Sequence, residues 1–238
     1  MRINILIFTA LLKIWVLSIL RMKARSFMKL KKKKFGLAAL ILMSLSGSIH
    51  AETPLTNSTV INGDTTINVD TGANSGINLS GNKEISLAAS ASDAAVTIKV
   101  NGQKFVGDVR YGIRISNGAK INLSDLNIIS EDKTGDVNGI YASASEININ
   151  NLNVDVNGNS IYGVNIYNGS QMNVAGNMMI AVKGDTVPSS GIRGVTVNSA
   201  SGVLNVQGDL IIKAESDQRG YGIYNTSGGK LNVAQNTY

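Results

Sequence analysis

The sequence predicts an all-β chain wound into a parallel β-helix, a solenoid with about three short strands in each coil. Two observations predict it: apolar and polar residues alternate with a period of two between turn residues, and one pattern recurs five times. The glycines that open the five copies are Gly112, Gly139, Gly163, Gly194 and Gly222, with steps of 27, 24, 31 and 28 residues. Steps of this length fit one coil per copy, each burying its apolar residues against its neighbours.

Each of the first four copies supplies three strands and the fifth supplies two, and the apolar positions of these strands align into columns. In the first strand, Ile113, Ile140, Val164, Val195 and Ile223 share a column, and the positions two residues on form another. Alternation points both columns inward. The second strand aligns one Asn per copy between apolar residues, and the third adds two aliphatic columns. The aligned residues are Asn122, Asn148, Asn173, Asn205 and Asn232. We therefore expect ladders of like residues along the axis.

The turn after the first strand supports the same interpretation. It contains Asn117-Gly118, Asn168-Gly169 and Ser227-Gly228, residue types that accept the positive φ of a tight corner. A sandwich or an antiparallel barrel is the alternative all-β fold. Neither has a reason to repeat one register in every copy, so the solenoid is preferred.

The basic charge of the chain belongs to its N-terminal segment. Ten of the 22 Lys and Arg lie in residues 1–50, which contain no acidic residue, so the remainder has 12 basic and 16 acidic residues and a net charge of −4. We therefore expect no nucleic-acid partner. The chain has no Cys, and its one His and one Trp, His50 and Trp15, lie in the same segment. This composition predicts no catalytic residues of the Ser-His-Asp or Cys-His type, no metal site and no cofactor.

Residues 1–51 are predicted to be a secretory signal peptide. A basic stretch at 28–34 precedes an apolar core at 35–45 and a run of small residues, so cleavage is expected between Ala51 and Glu52. Residues 1–27 are then either an extension of a long signal peptide or the result of an upstream start codon assigned in error.

Two regions follow the predicted cleavage site. Residues 52–110 alternate less regularly and are expected to form N-terminal coils or a cap. Residues 111–238 contain the regular repeats. The last repeat stops at Tyr238, before the third strand of its coil, so we expect a truncated chain that self-associates through an open C-terminal coil.

A basic signal peptide followed by Gly-Ile-x-x-x-Asn-Gly-[Ser/Ala]-x-[Ile/Leu/Met]-Asn-[Val/Leu] repeats resembles the passenger region of autotransporters, the type V secreted surface proteins of Gram-negative bacteria. The resemblance covers the leader and nearly all of 52–238. It implies a right-handed, pectin-lyase-like parallel β-helix that often serves as an adhesin. In that family a C-terminal β-barrel of the same chain carries the passenger through the outer membrane, and no segment of this sequence resembles one.

The resemblance implies a non-enzymatic, exported stalk or adhesin. Its partners would be the export machinery and a host surface glycan or protein. It would lie at the cell surface or outer membrane if the full gene carries the barrel, and otherwise in the periplasm or outside the cell. The alternatives are a secreted β-helical polysaccharide-active protein and a non-functional fragment of a disrupted autotransporter gene.

The candidate ligand face is the outward side of the first strands. Its residues are Arg114, Tyr141, Asn165, Tyr167, Thr196 and Tyr224. Hydroxyls, amides and Tyr rings suit a repetitive glycan or a protein ligand. The alternative is that each is an ordinary solvated strand residue.

An enzyme of this fold would cluster Asp residues on one strand face. Asp125 and Asp209 share a column, but Asn151 and Asn177 separate them, so we predict no catalytic pair.

Overall fold

The computed structural model describes residues 49–51, 54–69, 73–100, 109–130, 135–184, 191–217 and 219–238, which lie in one compact unit. The described chain is almost wholly β-strand, with one 3₁₀ turn at Ala89–Ala91. In chain order the strands are β1 (Ile49–Ala51), β2 (Thr59–Ile61), β3 (Thr65–Val69), β4 (Ser75–Ser80), β5 (Glu84–Leu87), β6 (Ala95–Val100), β7 (Val109–Ser116), β8 (Lys120–Ser130), β9 (Asp136–Ser143), β10 (Glu146–Gly158), β11 (Ser160–Tyr167), β12 (Gln171–Val174), β13 (Met178–Gly184), β14 (Ile192–Asn198), β15 (Val203–Val206), β16 (Leu210–Ser216), β17 (Gly220–Thr226) and β18 (Lys230–Val233).

The strands form two sheets whose pairings are parallel. The six-stranded sheet has the order β17-β14-β11-β9-β7-β4, so each first strand lies on that of the preceding turn. The twelve-stranded sheet contains the second and third strands, together with β1. Because each strand pairs with its equivalent one turn away, the chain is a parallel β-solenoid of about six turns, which confirms the predicted fold class.

The register confirms the predicted columns. Val164 pairs with Ile140 on one side and with Val195 on the other. In the second strands Asn148 lies opposite Asn122 and Asn173. The third strands continue the aliphatic columns in the same way. Like residues therefore stack on successive turns, as the alignment of the repeats predicts.

Two turns differ from the expected three separate strands. In β8 and β10 the second and third strands are continuous, with 11 and 13 residues. In the next two turns a break divides them, at 175–177 and at 207–209. Each break holds three residues, including Gly176 or Gly208. The continuous strands have two residues at the equivalent place, 124–125 and 150–151. One inserted residue thus separates the strands.

The core is a column of aliphatic side chains enclosed by the two sheets. Its members are Ile, Val, Leu, Met and Ala, and the described core includes no aromatic residue. Ile113, Ile140, Val164 and Val195 are fully buried, whereas Ile223 in the last turn is 40% exposed. Apolar burial and the parallel ladder therefore hold the described turns together, and the C-terminal turn contributes least.

The turns after the first strands have the predicted backbone. Asn117, Asn168 and Ser227 have φ of 56°, 45° and 57°, and the glycine after each is also in the left-handed region. Ala144 occupies the equivalent corner with φ 49°. Ala pays a steric cost in this region that Gly avoids.

The N-terminal part of the chain belongs to the same solenoid. Strand β4 belongs to the six-stranded sheet, and β2, β3, β5 and β6 belong to the twelve-stranded sheet. The Ala89–Ala91 turn lies between β5 and β6 in the chain. Ile49–Ala51 pair in parallel with Thr65–Ile67 of β3. The predicted cleavage site lies at the end of this strand, and Glu52 is outside the described residues, as are residues 1–48.

The chain continues beyond β18 to a further backbone contact. Thr237 forms an isolated parallel bridge with Leu210 of β16, outside any strand. The amide of Leu210 donates to Asn236 O at 2.9 Å, and the amide of Tyr238 donates to Leu210 O at 3.0 Å. The sequence did not predict this contact because residues 234–238 lack the alternating apolar pattern by which the other third strands were recognised.

Candidate functional site

Five of the six predicted ligand-face residues form one row along the axis. Arg114 lies opposite Tyr141, Tyr141 opposite Asn165, Asn165 opposite Thr196, and Thr196 opposite Tyr224. The sixth residue, Tyr167, lies in the neighbouring row, between Ser143 and Asn198. The structure therefore brings the first five together on consecutive turns.

A glycine bend changes which residues share this face. A Cβ built on Gly163 would lie 2.5 Å from Ile180 Cγ2 in the core and 2.5 Å from Gly194 O of the next turn. Gly163 therefore points inward, and so does the next residue, Val164, which is fully buried. Two consecutive inward positions reverse the alternation. The residue before the glycine consequently lies on the same outer face as the residue two positions after it.

The bend adds a second row that the sequence reasoning missed. Its members, each immediately before a repeat glycine, are Tyr111, Asn138, Tyr162, Arg193 and Tyr221. Ring contacts show that the two rows meet. The Tyr221 and Tyr224 ring centroids are 5.1 Å apart, and those of Tyr111 and Tyr141 are 5.9 Å apart. We call the two rows together the tyrosine–arginine face. The signal available in the sequence was the recurrent Tyr-Gly pair.

Arg193 lies in the C-terminal half of this face and contacts tyrosines on the turns before and after its own. Its Nη1 donates a hydrogen bond to Tyr162 Oη at 2.9 Å. Its guanidinium carbon lies 4.2 Å from the centroid of the Tyr224 ring and 5.1 Å from that of Tyr162. Both contacts are within the range of cation–π attraction. Arg193 is thus held between tyrosines of the preceding and the following turn.

Three buried polar atoms around Arg193 have no hydrogen-bond partner. They are Asn165 Oδ1, Arg193 Nε and Thr196 Oγ1. Thr196 is 1% exposed, although the sequence placed it on a solvated outward row. Asn165 and Tyr224 flank it along the row, and Arg193 lies across the bend. An unsatisfied buried polar group lowers folding stability by about 1–3 kcal/mol. These three atoms therefore destabilise the fold and could still form hydrogen bonds with another molecule.

A smaller contact group lies at the other end of the face. The guanidinium carbon of Arg114 is 5.4 Å from the centroid of the Tyr111 ring. Burial raises the pKa of the Tyr111 hydroxyl, an effect that the positive charge of Arg114 opposes. The Arg114 side chain is exposed. Its charge is therefore available to a ligand on the surface.

The Asn ladder forms a different surface. Each amide nitrogen donates at 2.8 Å to the Oδ1 of the Asn one turn earlier, from Asn148 to Asn122 through to Asn232 and Asn205. The ladder is the floor of an open groove of about 580 Å³, of which residues 86–89 and Ser92 form one wall. Because the amides bond to one another, the ladder has a structural role that accounts for its repetition.

A second ladder occupies the bend between the second and third strands. Asn151 Nδ2 donates to Asp125 Oδ1 at 2.9 Å, and Asp209 N donates to Asn177 Oδ1 at 3.0 Å. Asn151 Oδ1 accepts from Asn177 N at 3.2 Å. Asp125 and Asp209 are therefore separated by Asn residues, as the sequence predicts, and both take part in the links between turns.

Ion pairs lie outside the tyrosine–arginine face. Lys120 Nζ and Glu146 Oε2, predicted neighbours on adjacent coils, are 2.8 Å apart. The hydrogen bond from Lys120 lowers the pKa of the Glu146 carboxyl, and Lys213 does the same to Glu215. The side chains are well exposed, so water and salt screen these pairs and each adds little to folding stability. Among the described residues, no group of three or more His, Cys, Asp or Glu side chains is placed to hold a metal ion.

Comparisons with known proteins place the chain in no family. No protein-family model, no curated protein and no solved structure matches it. In the part of the chain that the structure describes, no helix is long and apolar enough to cross a membrane. A functional role must therefore be inferred from the geometry of the chain itself.

Proposed function

We propose that this chain is a non-enzymatic, exported surface protein that acts as a stalk or adhesin, in the manner of an autotransporter passenger. The observation that supports the proposal is the tyrosine–arginine face, on which rings and guanidinium groups recur on successive turns. Tyr and Arg are enriched in binding surfaces because they combine large contact area with hydrogen bonding. The parallel ladder underneath holds these side chains at fixed spacing.

Export is the first testable part of the proposal. The leader pattern places the mature N-terminus at Glu52. Cleavage there removes β1, after which β3 retains β6 as its neighbour. The chain should be expressed in a Gram-negative host and its periplasmic and secreted forms sequenced from the N-terminus. A mature protein that starts within residues 1–34 would contradict export by this signal.

Adhesion is the second part. Beads coated with the exported chain should bind cultured epithelial cells. A Tyr162→Ala, Tyr224→Ala double variant should bind fewer because it removes both rings that hold Arg193. Tyr238→Ala is a matched control, since this ring is 69% exposed and outside the face. Equal adhesion of wild type, double variant and control would show that the tyrosine–arginine face does not mediate adhesion.

The runner-up function is tested with the same material. A polysaccharide-active protein of this fold would release new reducing ends or unsaturated products from a glycan. Incubation of the exported chain with neutral and acidic polysaccharides should yield neither. Product release would favour the enzyme. A chain that is neither exported nor adhesive would favour a non-functional fragment of a disrupted gene.

A further inference from the structure

The tyrosine–arginine face differs in charge from the rest of the body. Its two rows contain Arg114 and Arg193 and no Asp or Glu, and the next row, which includes Ser116 and Tyr167, contains none either. The chain beyond Ala51 nevertheless carries a net charge of −4. The nearest carboxyl along these strands is that of Asp136, two residues before Asn138. The face is therefore a positive strip on an acidic solenoid, which favours an anionic ligand.

The unpaired atoms around Arg193 favour a ligand rich in hydroxyl groups. Asn165 Oδ1 accepts hydrogen bonds, Arg193 Nε donates them, and Thr196 Oγ1 does both. A sugar hydroxyl also donates and accepts, so adjacent hydroxyls match this mixed set. The atoms are covered in the free chain. A ligand anion that draws the Arg193 guanidinium outward would expose these three atoms and give them hydrogen-bond partners. Their hydrogen bonds would therefore form only when the ligand binds.

The arrangement of the rings favours a linear ligand along the axis. Tyr111, Tyr141, Tyr162, Tyr221 and Tyr224 lie on four of five consecutive turns, and Arg193 lies on the turn without a tyrosine. A Tyr ring combines apolar area with a polar hydroxyl, which suits contact with the apolar faces and hydroxyl groups of sugars. A peptide added as a strand would instead need free backbone groups, and those of β9, β11 and β14 pair with neighbours on both sides.

We propose that the tyrosine–arginine face binds an acidic polysaccharide lying along the solenoid axis. Arg193 holds a carboxylate or sulfate group, and Thr196 and Asn165 bind hydroxyls of the same or the adjacent sugar. This inference rests on the proposed binding function and specifies the ligand class of that site. Because the Arg193 guanidinium is planar, it recognises an oxyanion with two parallel hydrogen bonds, which a Lys ammonium does not form.

The test measures binding of the full chain to four polymers by biolayer interferometry at near-physiological salt. Polygalacturonate presents carboxylates, dextran sulfate presents sulfates, dextran is neutral, and poly-glutamate is an anionic peptide. We expect at least one acidic polysaccharide to bind at least tenfold more tightly than dextran and poly-glutamate. The better of the two identifies the anionic group. Equal binding of poly-glutamate would show general attraction to polyanions and overturn the proposal.

Variants then locate the site. Arg193→Gln should weaken binding at least tenfold, and Arg193→Lys, which keeps the charge, should restore less than half of the loss. Thr196→Val removes only the buried hydroxyl and should weaken binding about threefold. This variant still tests the site if Arg193→Gln fails to fold. Lys99→Gln removes one positive charge from an exposed position outside the face and should change the affinity less than twofold. Unchanged affinity in folded Arg193→Gln would overturn the proposal.

The outcomes also separate this inference from the proposed function. If coated beads adhere through the face but neither acidic polysaccharide competes, the ligand class is wrong and the adhesive function stands. If dextran binds as tightly as the acidic polymers and Arg193→Gln has no effect, the anionic requirement is overturned alone. If neither cells nor polymers bind, both fail.

Discussion

Thr196 shows how local geometry overrides the alternation of a strand. It lies on the outward row, yet it is 1% exposed, because the residues before and after Gly194 converge on one face. Its hydroxyl has no partner in the free chain. At this scale the tyrosine–arginine face contains buried polar atoms without hydrogen-bond partners, which lowers the stability of the fold. Natural proteins tolerate such a loss mainly at functional sites.

Thr196→Val should leave folding stability unchanged or raise it by about 1 kcal/mol. Valine is close to threonine in size, and it removes a buried hydroxyl that has no hydrogen-bond partner in the free chain. Denaturant midpoints of wild type and variant would measure the difference. A loss of more than about 1 kcal/mol would mean that the hydroxyl has a partner within the fold.

Asp136→Asn should stabilise the chain at neutral pH and have little effect at acid pH. Burial raises the pKa of the Asp136 carboxyl, although its hydrogen bond with the Ser160 backbone opposes the shift. A raised folded-state pKa means that the stabilising contribution is complete below the unfolded value of 3.8 and is lost as the pH rises through the folded value. Urea unfolding of both proteins at pH 3 and pH 7 tests this. A larger benefit of Asn at pH 3 would contradict the assigned cause.

At the scale of the element, the first strands depend on their glycines. Gly112, Gly139, Gly163 and Gly194 each lie so close to the next turn that an added Cβ would fall within 2.7 Å of a backbone oxygen there. The same glycines reverse the side-chain alternation. They therefore set both the close approach of the turns and the composition of the tyrosine–arginine face.

Gly163→Ala should destabilise the chain by about 1–3 kcal/mol, the usual cost of overpacking. Its new methyl group would meet Gly194 O and Ile180 Cγ2, each at 2.5 Å. Gly63→Ala is the matched control, since an added Cβ there has no atom within 4 Å. The measurement is the difference between the two unfolding midpoints. Equal midpoints would show that the first strands are less tightly stacked than described.

The sequence was sufficient to predict the element order and the register, but not the bend. Alignment of the repeat glycines places Val164 beside Ile140 and Val195, and that pairing follows from repetition alone although the repeats differ in length. The row containing Tyr162 and Arg193 was missed because strict alternation assigns residues before the glycine to the opposite face. Whether a strand bends depends on inter-turn contacts, which a local pattern does not contain.

At the scale of the whole molecule, the turns differ in how many neighbours support them. Strand β9 lies between β7 and β11, whereas β17 pairs with β14 and β18 with β15 in the described chain. Tyr221 and Ile223 in β17 are 41% and 40% exposed. A terminal turn with one neighbour is less stable and offers a strand edge to another chain.

We therefore propose that a protein consisting of residues 52–238 self-associates through its C-terminal turn. Sedimentation should show oligomers that increase with concentration, and amides in residues 221–238 should exchange faster than those of β9 to β12. Association should slow that exchange. A monomer at high concentration, with residues 221–238 as protected as the central turns, would contradict the proposal.

The coil register places the residues of the tyrosine–arginine face side by side on successive turns. Because the chain has no Cys, engineered pairs test it directly. Arg114 and Tyr141 are register partners, so their Cα atoms should lie about 4.8 Å apart, within the span of a disulfide. Arg114 and Asn165 are two turns apart, roughly twice that distance. Under mild oxidation we predict that Arg114→Cys, Tyr141→Cys forms an intramolecular disulfide and that Arg114→Cys, Asn165→Cys does not. Equal cross-linking of both pairs, or cross-linking of the second alone, would contradict the account.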